Sequence, residues 1–154
     1  MPFDVARLDA LKYGAKSGWA ALRNPGYRMT LLWRGAMFCQ ARRVPFVHQV
    51  LHQLILFLYS CDLSSKATVG AGIRIPHPVG IVIGDKVRIA EGCVIMQNAT
   101  LGGNFGKTIN GLMVPQLGSN VFIGPGAAVL GPIVIADSQV VGANAVVTRD
   151  QLGT

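Results

Sequence analysis

The chain has 154 residues, of which 51% are hydrophobic and 14% charged, whereas about 25% of residues are charged in an average soluble domain. This composition excludes a disordered chain, and the length suits one domain. The three cysteines, Cys39, Cys61 and Cys93, are odd in number and widely spaced. They argue against a disulfide framework or a zinc site and favour a reducing, cytoplasmic location. No secretory leader and no apolar run of about 20 residues is visible, so we expect neither export nor a membrane-spanning helix.

Residues 1–60 are predicted to form a short α-helical segment. Apolar residues recur at a near-helical period over residues 4–22 and about 27–60, with breaks at Asn24-Pro25-Gly26 and at Pro45. The segment carries eight Lys or Arg and two Asp, so it holds +6 of the formal net charge of +7.

Five arginines of this segment lie among apolar side chains: Arg23, Arg28, Arg34, Arg42 and Arg43. The pattern is typical of a solvated helix face, and peripheral contact with the inner face of a membrane is the alternative. No recognised nucleic-acid motif accompanies the charge, so we expect no nucleic-acid partner.

His48 and His52 have the spacing of a zinc-protease motif but Gln49 in place of its glutamate, so we expect no metal site.

A different period begins after Cys61, where branched apolar residues recur every six positions. A small residue usually follows each of them, and a second apolar residue comes four positions later. The pattern predicts a mainly β fold, a parallel β-helix in which three hexapeptides close one triangular coil. The branched residue points inward, and the small residue fits a corner where a Cβ would crowd the next coil. The first inward set is Val69, Ile75, Ile83, Ile89, Ile95, Leu101, Leu117, Ile123, Val129, Ile135, Val141 and Val147, and the second includes Ile73, Val79, Val87, Cys93, Ala99, Val121, Ala127, Ile133 and Ala145.

The β-helix is expected to span residues 61–154, with an inserted loop at 102–116 where the six-residue period is lost. A loop of this length in a tight solenoid is usually functional or disordered, and we favour a functional loop.

His77 is the single histidine of the repeat region, and it lies at a two-residue insertion where the period slips. An imidazole suits general-base catalysis but needs a second group to fix its tautomer. Asp62 comes fifteen residues earlier, a little less than one turn of the coil, so the spacing permits a dyad on adjacent coils. A lone histidine in a turn is more often a surface residue, and the spacing alone leaves both interpretations open.

Three segments of the chain together resemble the hexapeptide-repeat acyltransferases of the serine acetyltransferase type. They are Asp62-Leu63-Ser64-Ser65-Lys66-Ala67-Thr68-Val69-Gly70, Ile75-Pro76-His77-Pro78-Val79-Gly80-Ile81-Val82-Ile83-Gly84 and Gln97-Asn98-Ala99-Thr100-Leu101-Gly102-Gly103. The resemblance covers about residues 28–150. It implies a left-handed parallel β-helix, a homotrimer, and acetyl-CoA bound in clefts between subunits.

The same resemblance assigns roles to individual residues. His77 would be the base that deprotonates an acceptor hydroxyl, and Asp62 would orient it. Coenzyme A would lie along the coil against small residues, with a lysine from the loop. The coenzyme-binding residues expected on this basis are Gly102, Gly103, Lys107, Gly124 and Ala143.

Two departures from the family pattern bear on the acceptor. Pro76 precedes His77 where serine acetyltransferases tend to have Asp, and Leu112-Met113-Val114-Pro115 stands where they carry Asp-Arg-His-Pro. Apolar residues in those places would remove recognition of a zwitterion. The main expectation is therefore an acetyl-CoA-dependent O-acetyltransferase acting on a sugar of a surface polysaccharide or its precursor. The alternatives are a serine O-acetyltransferase of cysteine biosynthesis and a non-catalytic trimeric β-helix scaffold.

Overall fold

The computed structural model describes residues 2–14, 18–104, 108 and 111–152, apart from the side chains of residues 2, 3 and 18. The helices are α1 (Pro2–Lys12), α2 (Gly18–Ala21), α3 (Pro25–Ala41) and α4 (Val47–Tyr59). The predicted break at Asn24-Pro25-Gly26 is the start of α3, because the Asn24 side chain accepts a hydrogen bond from the Gly26 N–H and Pro25 takes the first turn. In the described part of the chain, no helix is both long and apolar enough to cross a bilayer.

Short strands follow the helices, and each pairs in parallel with a strand one coil away. They are β1 (Asp62–Leu63), β2 (Thr68–Val69), β3 (Val82–Ile83), β4 (Arg88–Ile89), β5 (Val94–Ile95), β6 (Thr100–Gly102), β7 (Gln116–Leu117), β8 (Phe122–Ile123), β9 (Ala128–Leu130), β10 (Val134–Ile135), β11 (Val140–Val141) and β12 (Val146–Val147).

These strands form the three faces of a triangular coil. Face A holds β1, β3, β6, β9 and β12, face B holds β2, β4, β7 and β10, and face C holds β5, β8 and β11. From β3 onward, the chain visits faces A, B and C in turn. The predicted left-handed parallel β-helix is confirmed.

The core of the coil is built from the predicted inward residues. Ile75, Ile95 and Ile123 are fully buried, as are most members of both sets. Val69 and Ala145 are partly buried against this core, and Val79 points outward, with 55% of its surface exposed. Ile81 takes the inward place instead, because the insertion before it shifts the phase of the repeat.

Small residues at the corners allow neighbouring coils to approach closely. A Cβ at Gly70 would lie 2.5 Å from the backbone nitrogen of Glu91, and one at Gly124 would lie 2.7 Å from that of Ala143. Gly102 differs, because a Cβ there would meet nothing within 4 Å. Its side of the coil is therefore open to a ligand.

The inserted loop lengthens one coil without breaking the register of its faces. Ile89 pairs with Leu117 across the coil that contains the loop, and Leu117 pairs with Ile135 across the next, shorter coil. The same face is therefore resumed on both sides of the loop. The predicted bounds of 102–116 are too wide at both ends, because Gly102 and Gln116 lie within β6 and β7.

Polar contacts join the helices to the first coil. Arg34 pairs with the fully buried Asp9 at 3.0 Å and donates to the carbonyls of Val69 and Gly70. Trp33 Nε1 donates to the carbonyl of Ser64, the residue that follows β1, at 2.9 Å. Arg34 is thus not part of the solvated face predicted for the five arginines. It holds α1 and α3 against the coil.

Candidate active site

One edge of the coil carries several of the predicted site residues. This edge, where face C leads into face A, is formed by residues 76–80, 97–98, 124–126 and 142–144, and we call it the His77 edge. Backbone hydrogen bonds stack its turns: Asn98 N donates to Val79 O, Gly126 N to Gln97 O, and Asn144 N to Pro125 O. The structure therefore brings His77, Gly124 and Ala143 onto one edge, with the turn of Gln97 and Asn98 between those of His77 and Gly124.

The insertion in the repeat presents His77 outward. Asp62 pairs with Val82, and Val82 pairs with Thr100, so the coil that contains His77 is longer than the coil that follows it. The extra length forms a tight turn in which Val79 N donates to His77 O at 2.9 Å. His77 is exposed, and its ring makes no hydrogen bond to any residue that the structure describes. A solvent-accessible, unengaged imidazole is what a base for an incoming hydroxyl requires.

Asp62 has a different partner from the one expected. Its Oδ1 lies 2.8 Å from Nε2 of His52, on the coil-facing side of α4. Among the described residues, no hydrogen bond or ion pair joins Asp62 to His77. The dyad of Asp62 and His77 stays a prediction, and in this structure α4 supplies the imidazole that contacts the carboxylate.

A polar cavity of about 240 Å³ surrounds this contact. Beside Asp62 and His52, its lining includes Lys66 and Asp85, which form an ion pair at 2.8 Å. The hydrogen bonds from Lys66 and then Ser64 lower the pKa of Asp85 below its usual value, and the bond to Asp85 raises the pKa of Lys66. This ion pair fixes two charges beside Asp62. The second carboxylate oxygen of Asp62 makes no hydrogen bond to any described residue.

The remaining predicted coenzyme residues lie at the other end of face A. Gly102 O accepts from Gly131 N at 2.9 Å, and Gly103 lies against the backbone of Met113. Face A thus runs between the His77 edge and the corner formed by Gly102 and Gly103. Lys107 lies outside the described residues.

The apolar stretch at 112–115 borders a second cavity, of about 260 Å³, which is also lined by positively charged side chains. Lys86 and Arg88, from the turn before β4 and from β4 itself, share it with Met113 and Val114. The stretch at 112–115 carries no charge of its own, but the coil supplies two positive groups beside it. An anionic group of a ligand has partners here.

Sequence reasoning missed two residues of this region. The spacing of His48 and His52 indicates only a failed metal motif, and the contact of His52 with Asp62 has no sequence signal because the turn after α4 is not predictable. Gln97 lies on the His77 edge between the turns of His77 and Gly124, and its Oε1 is buried with no described partner. A buried acceptor without a partner calls for an explanation, and a ligand donor is one.

The described residues contain no group of three or more His, Cys, Asp or Glu side chains arranged to hold a metal ion.

Comparisons with known proteins identify similar chains. A serine acetyltransferase of Helicobacter pylori is 38% identical over 137 residues, covering 88% of this chain and 79% of that protein. One from Synechococcus elongatus is 37% identical over 126 residues, covering 82% of this chain and 51% of that protein. No protein-family profile matches.

Solved structures agree with the sequence comparisons. Soybean serine acetyltransferase complexed with serine superposes with a TM-score of 0.84 at 28% identity, over 97% of this chain and 63% of that one. A serine acetyltransferase in complex with CoA gives a TM-score of 0.84 at 25% identity, over 97% and 63%. The chain therefore spans less than two thirds of these two structures.

Proposed function

Because the chain belongs to the serine acetyltransferase family, we propose that it transfers the acetyl group of acetyl-CoA to the hydroxyl of L-serine or a close analogue. The enzyme class expected from the sequence, an acetyl-CoA-dependent O-acetyltransferase, is that of the family. The acceptor is the finer part of the proposal. Soybean serine acetyltransferase, which resembles this chain, has a solved structure complexed with serine, whereas no comparison supports a polysaccharide acceptor.

The observation that carries the proposal is the exposed, unengaged ring of His77 on the same edge as Gly124 and Ala143. In the proposed reaction, a ring nitrogen of His77 accepts the proton of the acceptor hydroxyl. The acceptor oxygen bonds to the thioester carbon, and the bond from carbon to sulfur breaks as the tetrahedral intermediate collapses. The departing thiolate takes the proton back from the imidazolium, so the products are the O-acetyl ester and free coenzyme A.

Asp62 is proposed as the residue that orients His77. One Asp62 oxygen contacts His52, but a carboxylate offers about four acceptor positions. The oxygen not bound to His52 is the one available to a second imidazole. Asp62 would then stabilise the imidazolium formed when His77 takes the proton.

We propose that coenzyme A lies along face A, between the corner at Gly102 and the edge at Gly124 and Ala143. The open space at Gly102 supports this path, because a pantetheine arm needs close approach to the backbone. In this proposal, backbone N–H groups at Gly103 bind the thioester oxygen as negative charge develops. A homotrimer with the coenzyme in clefts between subunits belongs to the same proposal. Exposed valines on the outer faces, such as Val140 and Val146, provide apolar surface for such contacts.

A sugar hydroxyl is the second candidate acceptor, and one observation favours it. The cavity beside the loop is lined by the apolar Leu112, Met113 and Val114 rather than by an Arg and a His of the loop. The apolar lining would weaken binding of the charged amino acid, although Lys86 and Arg88 still offer partners for a carboxylate.

The acceptor is tested by measuring thiol release from acetyl-CoA with L-serine, and separately with a panel of sugars and nucleotide sugars. We expect release with L-serine, and mass spectrometry should show an O-acetyl product. Release with a sugar alone would replace serine by the second candidate. No release with any acceptor, together with no coenzyme binding at millimolar concentration, would favour the scaffold interpretation.

A further inference from the structure

The outer side of α4 is apolar and uncovered in this structure. Its helical spacing places Val47, Val50, Leu54 and Phe57 on one stripe, and neighbouring Leu51 and Leu58 extend it towards α3. Phe57 is 85% exposed and Val50 is 63% exposed, and Ile55 is the one fully buried residue of α4. The polar side chains His48 and His52 lie on the opposite side, towards the cavity at Asp62.

A groove of about 730 Å³ continues this apolar surface between α3 and α4. Leu31, Leu32 and Gly35 of α3 face Leu51, Leu54 and Leu58 of α4 across it. The two helices are close at Gly35, because a Cβ there would lie 3.4 Å from Leu51 Cδ1. Together, the stripe and the groove form one apolar surface, which we call the α3–α4 face.

Arginines rim this face. Arg28 lines the groove, and Arg28, Gly35 and Arg42 are evenly spaced at two helical turns, which puts them on the same side of α3. Arg43 follows at the turn into α4. All three arginines are exposed, and none of them has an ion-pair partner among the described residues. The sequence from Gly18 to Ser60 contains no Asp or Glu at all.

Large exposed apolar patches rimmed by charge mark interaction surfaces. From this combination we infer that the α3–α4 face docks on an anionic lipid surface, with Val50, Leu54 and Phe57 in the headgroup boundary and the arginines against lipid phosphates. An apolar stripe flanked by cations and free of carboxylates is complementary to that surface. At 13 residues α4 is shorter than the roughly 20 residues a bilayer span needs, so the helix lies in the plane of the interface.

Docking by the α3–α4 face leaves the cavity at Asp62 uncovered. Because His48 and His52 occupy the side of α4 opposite the stripe, docking leaves the cavity at Asp62 facing away from the lipid. The α3–α4 face and the cavity at Asp62 are thus on opposite sides of α4, and substitutions on the face leave the lining of the cavity unchanged.

The test is co-sedimentation of the full chain with vesicles of phosphatidylcholine, with and without phosphatidylglycerol, at low and high salt. We expect binding to the anionic vesicles that weakens with salt. Phe57→Glu and the pair Arg28→Glu with Arg42→Glu should each weaken binding at least tenfold, with unchanged circular dichroism. Leu152→Glu and Arg149→Glu serve as matched controls at the far end of the coil, where Leu152 is 68% exposed, and should bind as the unaltered chain does.

Other outcomes would overturn the inference. The absence of binding to anionic vesicles would do so, as would equal loss in the controls and the α4 variants. If Phe57→Glu instead lowers the oligomeric mass in light scattering and vesicles are not bound, the face belongs to contacts with a second copy of the chain. Acetyl transfer to a soluble acceptor is measured in the same variants. Its persistence separates failure of this inference from failure of the proposed function.

Discussion

Oδ1 of Asp62 lies 2.8 Å from Nε2 of His52, so a helix residue engages the carboxylate that the sequence assigns to His77. Both side chains are partly exposed, and a pair of this kind stabilises a fold by about 1 kcal/mol or less. The pair matters because either His52 or His77 could use Asp62 during turnover.

Replacing His52 with Ala should leave turnover within about threefold of the unaltered chain, since the substitution frees Asp62 for His77. Asp62→Asn should lower turnover at least tenfold, because the amide cannot stabilise an imidazolium as a carboxylate does. Steady-state rates for the two variants show whether His77 or His52 is the functional partner of Asp62. Equal losses in both would identify His52 as the functional partner of Asp62.

A larger side chain at Gly102 should block the coenzyme without disturbing the fold. Its Cβ has open space, so Gly102→Ala and Gly102→Leu should unfold at the same temperature as the unaltered chain. Affinity for coenzyme A, measured by calorimetry, should fall in the order Gly, Ala, Leu. Unchanged affinity in the Leu variant would move the coenzyme away from this corner. Gly124 does not suit the same test, because a Cβ there overlaps the next coil.

A charge inside the coil should unfold it. Ile123 is fully buried between faces, and Ile123→Asp would place an unpaired carboxylate there at a cost of more than about 4 kcal/mol. Thermal unfolding should show loss of the cooperative transition. Ser138→Asp, at an exposed turn in the next coil, is the control and should melt normally. A folded Ile123→Asp protein would contradict the inward assignment.

The ion pair of Asp85 and Lys66 should contribute to acid stability. The hydrogen bond from Lys66 lowers the pKa of Asp85 in the folded chain. The ion pair therefore stabilises the folded chain above the ordinary aspartate pKa, and this stabilisation is lost as the pH falls through the lowered pKa. Asp85→Asn should therefore melt slightly below the unaltered chain at pH 6, and the gap should be narrower at pH 3, below the ordinary aspartate pKa. A gap that stays constant between these two values would show that Asp85 titrates normally.

Much of the fold follows from the sequence because the repeat carries its own phase. A residue such as Ile123 must point inward if Leu117 and Val129 do, since each is six positions from the next. Val79 breaks this logic, because an insertion in the repeat does not reveal on which side of it the phase is restored. The structure restores it at Ile81.

The site was less predictable for a physical reason. His77 and Gly124 lie on one edge because stacked coils repeat their corners, which the period conveys. The contact of His52 with Asp62 depends on how α4 packs on the first coil, and no local pattern encodes it. The same holds for Arg34, whose bond to the buried Asp9 joins residues 25 positions apart.

The most direct test of this account compares thiol release from acetyl-CoA in the unaltered chain, in His77→Ala and in Glu91→Gln, a control on another corner of the coil. With the acceptor that supports release, His77→Ala should be slower by about 10²–10⁴-fold, as expected on losing a general base. Coenzyme affinity should be retained in this variant, and Glu91→Gln should react normally. Turnover by His77→Ala at the rate of the unaltered chain would contradict the account, because the exposed imidazole would then have no part in the transfer.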